Sequence, residues 1–268
     1  FSPFSTGLQG YAHPFLVPAT IMLLIILGGA GFLVLLGIAR YMRRGEPLTP
    51  HCHLVIKVTG ILIIGGAFLF LISDWNGAFR GLSPTLKVWN ALFQSVTPRT
   101  AGFDTIRTAN FTALGVFVTC LLMIIGASPG STGGGVKTTT LGLLVYSALC
   151  EMRGRNNIIY ANRNISFNNV RRALSLSLLY VSTVLLSIVL LSFTETAPFH
   201  TLIFEAFSAM GTVGLSLGIT SSLSTMGKII LIMLMFWGRV GILTFMYVVI
   251  TRETRDNVNY AATNIPVG

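Results

Sequence analysis

Two short segments share one pattern, Thr-x-Gly followed by a large apolar residue. They are Thr-Ala-Gly-Phe at 100–103 and Thr-Val-Gly-Leu at 212–215, and their glycines lie 112 positions apart. Glycine adopts backbone angles that other residues avoid and adds no side chain, so it lets successive carbonyl oxygens point toward one axis. A ring of backbone carbonyls can replace the hydration shell of a cation. The chemistry that these segments suggest is therefore cation coordination by the main chain.

We predict that the two segments form strands of an ion selectivity filter. The predicted strands consist of Thr100, Ala101, Gly102 and Phe103, and of Gly211, Thr212, Val213 and Gly214. The predicted ligands are the backbone carbonyls of Thr100, Ala101, Thr212 and Val213. A single Thr-x-Gly would be read as a turn between helices. Its recurrence after a short helix in both places favours a filter, because irregular backbone at membrane depth must border protein or a wet cavity.

The elements that must hold these segments are membrane helices. Apolar residues make up 53% of the 268 positions, charged residues 10%, and the mean hydropathy is +0.76. A helix needs about 20 apolar residues to cross a bilayer. Five runs qualify, at 15–39, 55–73, 111–150 with an interruption, 173–193 and 229–250. Two shorter runs, at 86–96 and 201–210, are too short to span and each leads into a Thr-x-Gly segment.

The net charge is +10, but the positions of the basic residues indicate membrane topology and argue against a nucleic-acid partner. The basic residues collect at the ends of apolar runs, on one side of the membrane if each run spans once. This side is then the cytoplasmic one. The residues in question are Arg40, Arg43, Arg44, Lys57, Arg153, Arg155, Arg163, Arg171, Arg172, Arg252 and Arg255.

The order of elements repeats, which predicts the fold class and its division. We expect an all-α membrane protein built from units of helix, pore helix and helix with re-entrant filter loops. The last helix of a preceding unit occupies residues 1–45, the third unit 46–165, the fourth unit 166–254 and a tail 255–268. About two and a half units are present, whereas a closed ring of carbonyls takes four. An upstream segment is expected to carry the others.

A glycine-rich stretch, Gly-Ala-Ser-Pro-Gly-Ser-Thr-Gly-Gly-Gly-Val-Lys at 126–137, must interrupt the helix that contains it. Gly130 and Gly135 are spaced as in a phosphate-binding loop, but Val136 precedes Lys137 and no strand precedes the loop. A packing kink between helices is a second interpretation.

Arg239 stands in the middle of an apolar run, where an arginine costs about 2.5 to 3.5 kcal/mol on insertion scales. We expect backbone carbonyls or the glycine-rich loop to accept its hydrogen bonds, unless the side chain reaches the interface. Asp104 and Glu205 could concentrate cations outside the filter, although Asp104 could equally cap a helix. The cluster His51-Cys-His53 does not suit a tetrahedral metal site, because adjacent residues cannot easily converge on one ion.

Three motifs resemble those of the Trk/Ktr/HKT potassium transporter superfamily, most closely the bacterial Ktr membrane subunit. They are Thr-Pro-Arg-Thr-Ala-Gly-Phe at 97–103, the glycine-rich stretch continued through Thr-Thr-Thr at 138–140, and Gly-Thr-Val-Gly-Leu at 211–215. The resemblance covers essentially the whole chain and identifies it as a C-terminal part. It implies a pseudo-fourfold pore for potassium uptake across the bacterial cytoplasmic membrane.

The resemblance also implies a gate, partners and ions. The gate would consist of the loop and the arginine, namely Gly130, Ser131, Thr132, Gly133, Gly134, Gly135, Lys137 and Arg239. The implied partners are membrane lipid, a second copy in a homodimer and a cytoplasmic ring of nucleotide-binding regulatory subunits. Potassium is the transported ion, with sodium as a second ion, and no organic cofactor is implied.

Alternative functions remain open at this point. A sodium carrier of the HKT type would carry a serine in place of the filter glycine of its first unit. A polytopic membrane enzyme would need convergent acidic or histidine side chains, whereas histidines 13, 51, 53 and 200 are split between the two faces. A structural membrane scaffold would leave the repeated Thr-x-Gly unexplained. We therefore assign no catalytic residue.

Overall fold

The computed structural model describes residues 7–11, 15–155 and 157–241, which are almost entirely helical. The helices are α1 (Leu16–Ala30), α2 (Phe32–Arg44), α3 (Pro50–Asp74), α4 (Pro84–Val96), α5 (Ala113–Ile124), α6 (Thr138–Met152), α7 (Phe167–Thr194), α8 (Phe199–Met210) and α9 (Thr225–Val240). An antiparallel hairpin of β1 (Ile159–Tyr160) and β2 (Arg163–Asn164) lies between α6 and α7.

Helices α3 and α7 are long and apolar enough to cross a membrane, with 25 and 28 residues and peak hydropathies of 2.4 and 2.3. They correspond to the predicted spans at 55–73 and 173–193. Both begin with a side-chain cap: the Thr49 hydroxyl accepts from the Cys52 amide, and the Ser166 hydroxyl accepts from the Asn168 amide. Each is the first, spanning helix of a unit.

The predicted span at 15–39 differs from the observed structure, because it is two helices bent by 100° at Gly31. Gly31 has φ +82°, and a Cβ there would lie 2.4 Å from the Pro129 carbonyl oxygen. The amide of Phe32 donates to the Gly130 carbonyl at 3.2 Å, and the amide of Ser128 donates to the Gly29 carbonyl at 2.9 Å. The backbone groups that lose their helical hydrogen bonds at the bend are thus bonded to the glycine-rich loop.

Helices α4 and α8 are short, with 13 and 12 residues, so each reaches only about 20 Å and cannot cross the bilayer. They match the predicted pore helices at 86–96 and 201–210, and each leads into a Thr-x-Gly turn. The interruption predicted in 111–150 is also present, since α5 ends at Ile124 and α6 begins at Thr138. The predicted run at 229–250 is described only as far as Gly241.

Each unit has its own apolar core. The core of the first of these units contains Phe70 of α3 together with Phe79 and Phe111 from the connecting segments. The Phe111 ring lies 5.7 Å from that of Phe70 and 6.0 Å from that of Phe79, between ring centroids. In α7, α8 and α9 the core is built around Leu191, Leu202 and Leu234. A third cluster joins the two units and consists of Cys120, Met123, Phe204, Val213 and Leu215. The two filter turns are therefore held at the contact between the units.

A carboxylate at the outer end of α3 ties it to the start of α5. The buried Asp74 accepts a hydrogen bond from the Thr112 amide at 2.8 Å. The Thr112 hydroxyl in turn accepts from the Gly115 amide at 3.1 Å, which is an N-cap. The carboxylate also lies at the positive end of the α5 dipole.

The same arrangement recurs in the unit formed by α7, α8 and α9. Glu195, just after α7, accepts from the Ser224 amide at 3.1 Å, and the Ser224 hydroxyl accepts from the Gly227 amide at 3.0 Å. Ser224 and Thr112 lie 112 positions apart, as do Gly102 and Gly214. The distance in sequence from filter turn to following helix is therefore identical in the two units.

Candidate functional site

The backbone of both Thr-x-Gly turns alternates in handedness. Thr100 and Gly102 have φ +69° and +72°, Thr212 and Gly214 have φ +53° and +91°, and the residues between them have negative φ. A threonine at positive φ is strained and persists only where its surroundings enforce it. Alternation of left-handed and right-handed residues turns successive peptide groups to the same side. Each turn can therefore present its carbonyls as one row.

In the first turn, the amide groups point back to the end of α4. The Thr97 carbonyl accepts hydrogen bonds from the amides of Ala101 and Gly102, both at 3.2 Å. The Thr97 hydroxyl donates to the Phe103 carbonyl, which fixes the far end of the turn. The pore helix thus holds the strand at both ends.

In the second turn, Ser208 of α8 has the equivalent role. Its carbonyl accepts from the Val213 amide at 2.9 Å and its hydroxyl accepts from the Gly214 amide at 3.1 Å. The same hydroxyl donates to the Leu215 carbonyl at 2.6 Å. Both turns are therefore fastened by a hydroxyl of the preceding helix to the carbonyl that follows the glycine.

The four predicted ligand carbonyls are left available. Among residues 7–11, 15–155 and 157–241, no donor is bonded to the carbonyls of Thr100, Ala101, Thr212 or Val213. A backbone carbonyl without a partner is costly unless water or an ion is bound to it. These oxygens are therefore suited to bind a cation.

The two turns lie side by side. A Cβ on Gly102 would lie 2.1 Å from the Val213 carbonyl oxygen, so only glycine allows this approach. A cavity of about 810 Å³ is lined by Thr100 and Ala101 from one turn and by residues 212–215 from the other. The structure thus brings the central residues of both predicted strands to one shared space.

The remaining three predicted filter residues do not line this cavity. Gly102 lies at the contact between the turns, and Phe103 is 39% exposed beyond the first turn. Gly211 terminates α8, and a Cβ there would lie 2.6 Å from the Met123 carbonyl oxygen. These residues shape the turns rather than face the cavity.

The residue before Thr100 is a buried arginine that the sequence did not single out. Arg99 is only 5% exposed and its guanidinium donates to the Thr59 hydroxyl of α3 at 3.4 Å. This contact ties the first turn to a spanning helix.

Two carboxylates lie on the outer side of the turns. Glu205 of α8 is buried, lines the 810 Å³ cavity and accepts hydrogen bonds from Ser216 and Thr220. Asp104 follows the first turn and accepts from the Gln9 amide at 3.2 Å. Burial raises the pKa of the Asp104 carboxyl above its ordinary value, against the opposing effect of this hydrogen bond. Glu205 therefore places a carboxyl group at the cavity, whereas Asp104 is not among the lining residues.

The glycine-rich loop lies against the inner side of both turns. The Gly134 amide donates to the Thr212 hydroxyl at 3.0 Å. A Cβ on Gly133 would lie 2.7 Å from the Thr100 hydroxyl oxygen. The Lys137 ammonium folds back and donates to the Gly133 carbonyl at 2.6 Å. The loop is therefore packed beneath the two threonines.

Two backbone hydrogen bonds close the base of the loop. The residues at its tip face away from the turns. The Gly126 amide donates to the Val136 carbonyl and the Val136 amide donates to the Ile124 carbonyl, both at 2.9 Å. Ser131 is bonded to the Ser128 carbonyl and Thr132 is exposed. Gly130 and Gly135 have φ +75° and +72°, where other residues would be strained.

Arg239 lies beside the loop without the expected acceptor. Within the described residues, no carbonyl accepts a hydrogen bond from its guanidinium, and the residue is exposed. It lines the 810 Å³ cavity and also a second cavity of about 250 Å³ that contains Lys137. Two cations therefore lie together on the inner side of the turns.

Equivalent residues of the two units lie 112 positions apart. The repeated Thr-x-Gly pattern alone gives this spacing only for the turns. The pairs are Thr100 and Thr212, Gly102 and Gly214, Thr112 and Ser224, Gly115 and Gly227, and Gly126 and Gly238. The N-cap residues and their glycines could have been found by extending the comparison beyond the turn.

The family model and the most similar sequences compared with this chain indicate the same family of cation transport proteins. The model of the cation transport protein family TrkH matches residues 1–259. The chain is 41% identical over 243 residues to the potassium/sodium uptake protein NtpJ of Enterococcus hirae, covering 88% of this chain and 53% of that protein. It is 36% identical over 264 residues to the Ktr system potassium uptake protein B of Bacillus subtilis, covering 97% and 58%.

A solved structure has the same fold. The crystal structure of the potassium transporter TrkH from Vibrio parahaemolyticus matches with a TM-score of 0.75 at 20% identity, covering 93% of this chain and 55% of that one. This chain thus spans little more than half the length of the relatives it matches.

Proposed function

Since the chain belongs to the TrkH family of cation transport proteins, we propose that it forms part of a pore for potassium uptake into a bacterial cell. The observation that carries the proposal is the pair of adjacent Thr-x-Gly turns. Their amides are bonded to the pore helices, and their central carbonyls accept no hydrogen bond from the described residues. The names of two relatives, a potassium/sodium uptake protein and a potassium uptake protein, support the same function.

In this proposal, the carbonyls of Thr100, Ala101, Thr212 and Val213 bind a dehydrated potassium ion. The two turns supply half of a ring of four, and the other half belongs to preceding units of the whole protein. The relatives are nearly twice the matched length, which leaves room for those units. Glu205 and Asp104 raise the local concentration of cations at the outer mouth.

The glycine-rich loop is the gate in this proposal. It lies on the pathway directly beneath Thr100 and Thr212, in contact with both. The gate residues are Gly130, Ser131, Thr132, Gly133, Gly134, Gly135, Lys137 and Arg239. Withdrawal of the loop from the threonines opens the passage to the cytoplasm.

The division into units and the assembly belong to the same proposal. Residues 1–45 end the second unit, 46–165 form the third, 166–254 the fourth and 255–268 a tail. The protein is a homodimer in the bacterial cytoplasmic membrane, and it carries a cytoplasmic ring of nucleotide-binding subunits. Sodium transport is a second candidate function, because one relative is named for both ions.

Growth and ion selectivity test the filter. The full-length protein is expected to restore growth of a potassium-uptake-deficient cell at low potassium. Gly102→Ser should reduce the preference for potassium over sodium at least severalfold, because a side chain there collides with the Val213 carbonyl, 2.1 Å from the position of a Cβ. The preference is measured as the ratio of rubidium to sodium uptake in proteoliposomes.

The matched control is Gly60→Ala in α3, where a Cβ would meet nothing within 4 Å. This variant should retain the ratio of the unmodified protein. Gly214→Ser, at the equivalent position with φ +91°, should behave like Gly102→Ser. Unchanged selectivity in both serine variants, in correctly folded protein, would rule out the filter assignment.

A further inference from the structure

We propose that a small inorganic anion, chloride or phosphate, binds in the 250 Å³ cavity between α6, α7 and α9, held by Lys137, Arg239 and the Tyr180 hydroxyl. This inference concerns the charges below the filter and does not depend on the proposed filter ligands. It starts from the residues that line the cavity, which include Lys137, Thr140, Tyr180 and Arg239.

The first argument is the charge of the cavity. Two cations line it, and none of its described lining residues is a carboxylate. The carboxylates in the described part of the chain all lie elsewhere: Glu46, Asp74, Asp104, Glu151, Glu195 and Glu205. Charges at membrane depth are normally paired or hydrated. An anion in the cavity would compensate both cations at once.

The second argument is a buried donor without a partner. The Tyr180 side chain is 5% exposed, and its hydroxyl has no hydrogen bond to any residue that the structure describes. A buried hydroxyl without a partner costs about 1–3 kcal/mol. Tyr180 lines the same cavity as the two cations, so a bound anion would accept its hydrogen bond.

The third argument is the start of α6. This helix has 15 residues and begins at Thr138, directly after Lys137. The amides of the first turn of a helix have no intrahelical acceptor and carry a partial positive charge. Thr140 of this first turn lines the cavity. The helix end therefore adds to the two cations and the hydroxyl.

A second cavity adjoins the first and extends toward the start of α7. A neighbouring cavity of about 370 Å³ shares Thr140 and Leu176 with it and extends to Arg172 near the start of α7. Arg172, Leu176 and Tyr180 are spaced by four residues and so lie on one face of α7. A basic residue at the entrance attracts anions from the cytoplasm.

The size and depth of the cavity favour a small inorganic anion over a lipid headgroup. The cavity adjoins Lys137, whose ammonium is bonded to the loop beneath the filter threonines. Lipid phosphates lie near the ends of spanning helices, whereas Tyr180 is the fourteenth of the 28 residues of α7, about 20 Å from either end. Chloride or phosphate with a few waters, at about 30 Å³ each, fits the volume.

The test measures anion-dependent stability of the purified full-length protein at constant potassium concentration and ionic strength. Gluconate is replaced stepwise by chloride or by phosphate, and the thermal unfolding midpoint is recorded. A bound anion stabilises the folded state as its concentration exceeds the dissociation constant. Tyr180→Phe keeps the ring and removes the hydroxyl, and it should weaken the apparent anion affinity about tenfold.

The control is Tyr146→Phe, because the Tyr146 hydroxyl donates to the Ile159 carbonyl outside this cavity. It should leave the anion response unchanged, whereas Lys137→Met should abolish the response. An unmodified protein that is equally stable in gluconate, chloride and phosphate would overturn the proposal. So would an anion response in Tyr180→Phe equal to that of the unmodified protein. The uptake ratio tests the filter ligands in a separate experiment, so failure of the anion site and failure of the filter can be told apart.

Discussion

At the residue scale, a single hydroxyl fixes the shape of each turn. Thr97 and Ser208 are both in or next to the last turn of a pore helix, and each donates to the carbonyl that follows the filter glycine. This bond satisfies the carbonyl with a partner from the pore-helix end. It also holds the residues between helix and glycine in their alternating backbone conformation.

Removing either hydroxyl should loosen the turn. We expect Thr97→Val and Ser208→Ala to leave a buried carbonyl unpaired, at a cost of about 1–3 kcal/mol, and to lower the potassium to sodium uptake ratio severalfold. The control is Ser192→Ala, whose hydroxyl is exposed and bonded within α7. Equal ratios in Ser192→Ala and Ser208→Ala would show that the hydroxyl does not shape the filter.

The sequence located the central residues of the turns but not the hydroxyls behind them. Thr100, Gly102, Thr212 and Gly214 could be found because the pattern repeats at a fixed interval. Thr97 and Ser208 lie 111 positions apart, one residue out of that register. Their equivalence depends on how each helix ends, which is a property of the backbone and not of the residue pattern.

At the scale of elements, the carboxylate caps link the spanning helix of each unit to the helix that follows its filter turn, namely α3 to α5 and α7 to α9. Asp74 is fully buried, whereas Glu195 is partly exposed. Asp74→Ala should therefore lower the stability of the folded protein by about 1–3 kcal/mol, because the buried Thr112 amide loses a charged acceptor. Thermal unfolding in detergent measures this effect.

Two variants calibrate that measurement. Glu195→Ala should cost less than Asp74→Ala, because water can replace the lost acceptor at an exposed site. Glu151→Ala, at the exposed end of α6, should be nearly neutral. The interpretation of Asp74 as a structural cap fails if its variant unfolds at the same temperature as the Glu151 variant.

The bend at Gly31 couples one unit to the loop of the next. We expect Gly31→Ala to raise ion flux severalfold, because a Cβ at φ +82° and 2.4 Å from the Pro129 oxygen must displace the loop. Gly28→Ala in the same helix is the control, since a Cβ there meets nothing within 4 Å. Flux is measured as rubidium uptake in proteoliposomes. Identical flux in the two variants would contradict an obstructing loop.

The bend itself could not be predicted from hydropathy. The apolar run at 15–39 continues through Gly31, so composition indicates one straight helix. The backbone groups freed by the bend are bonded to Ser128 and Gly130, about 100 residues further along the chain. Contacts so distant in sequence leave no local signal. The interruption in 111–150, in contrast, is visible because glycines, a proline and serines lie within the run itself.

At the scale of the whole molecule, two units with separate cores meet at one shared cluster. Repetition of the units was predictable from the recurring order of long and short apolar runs. Their mutual placement was not, because it is determined by side-chain packing among Cys120, Met123, Phe204, Val213 and Leu215. From its short asparagine-rich stretch, we further predict that the tail at 255–268 contributes to the contact of a dimer; these residues lie outside the described part of the chain.

Truncation tests that role. We expect full-length protein to have the mass of a dimer in mild detergent, and protein that ends after Arg255 to dissociate at least in part. Light scattering on a sizing column measures the mass. A dimer that persists unchanged after truncation would place the contact elsewhere.

From Thr100 and Thr212 as far as Gly126 and Gly238, equivalent residues of the two units lie 112 positions apart. This correspondence ends at Gly126, because the glycine-rich loop follows it in one unit only. If both units descend from one duplicated gene, then no insertion or deletion survived in that stretch of either copy. The difference in length between the units lies downstream of that stretch, where the loop follows. A change in the length of the loop therefore leaves the two strands of the passage in register.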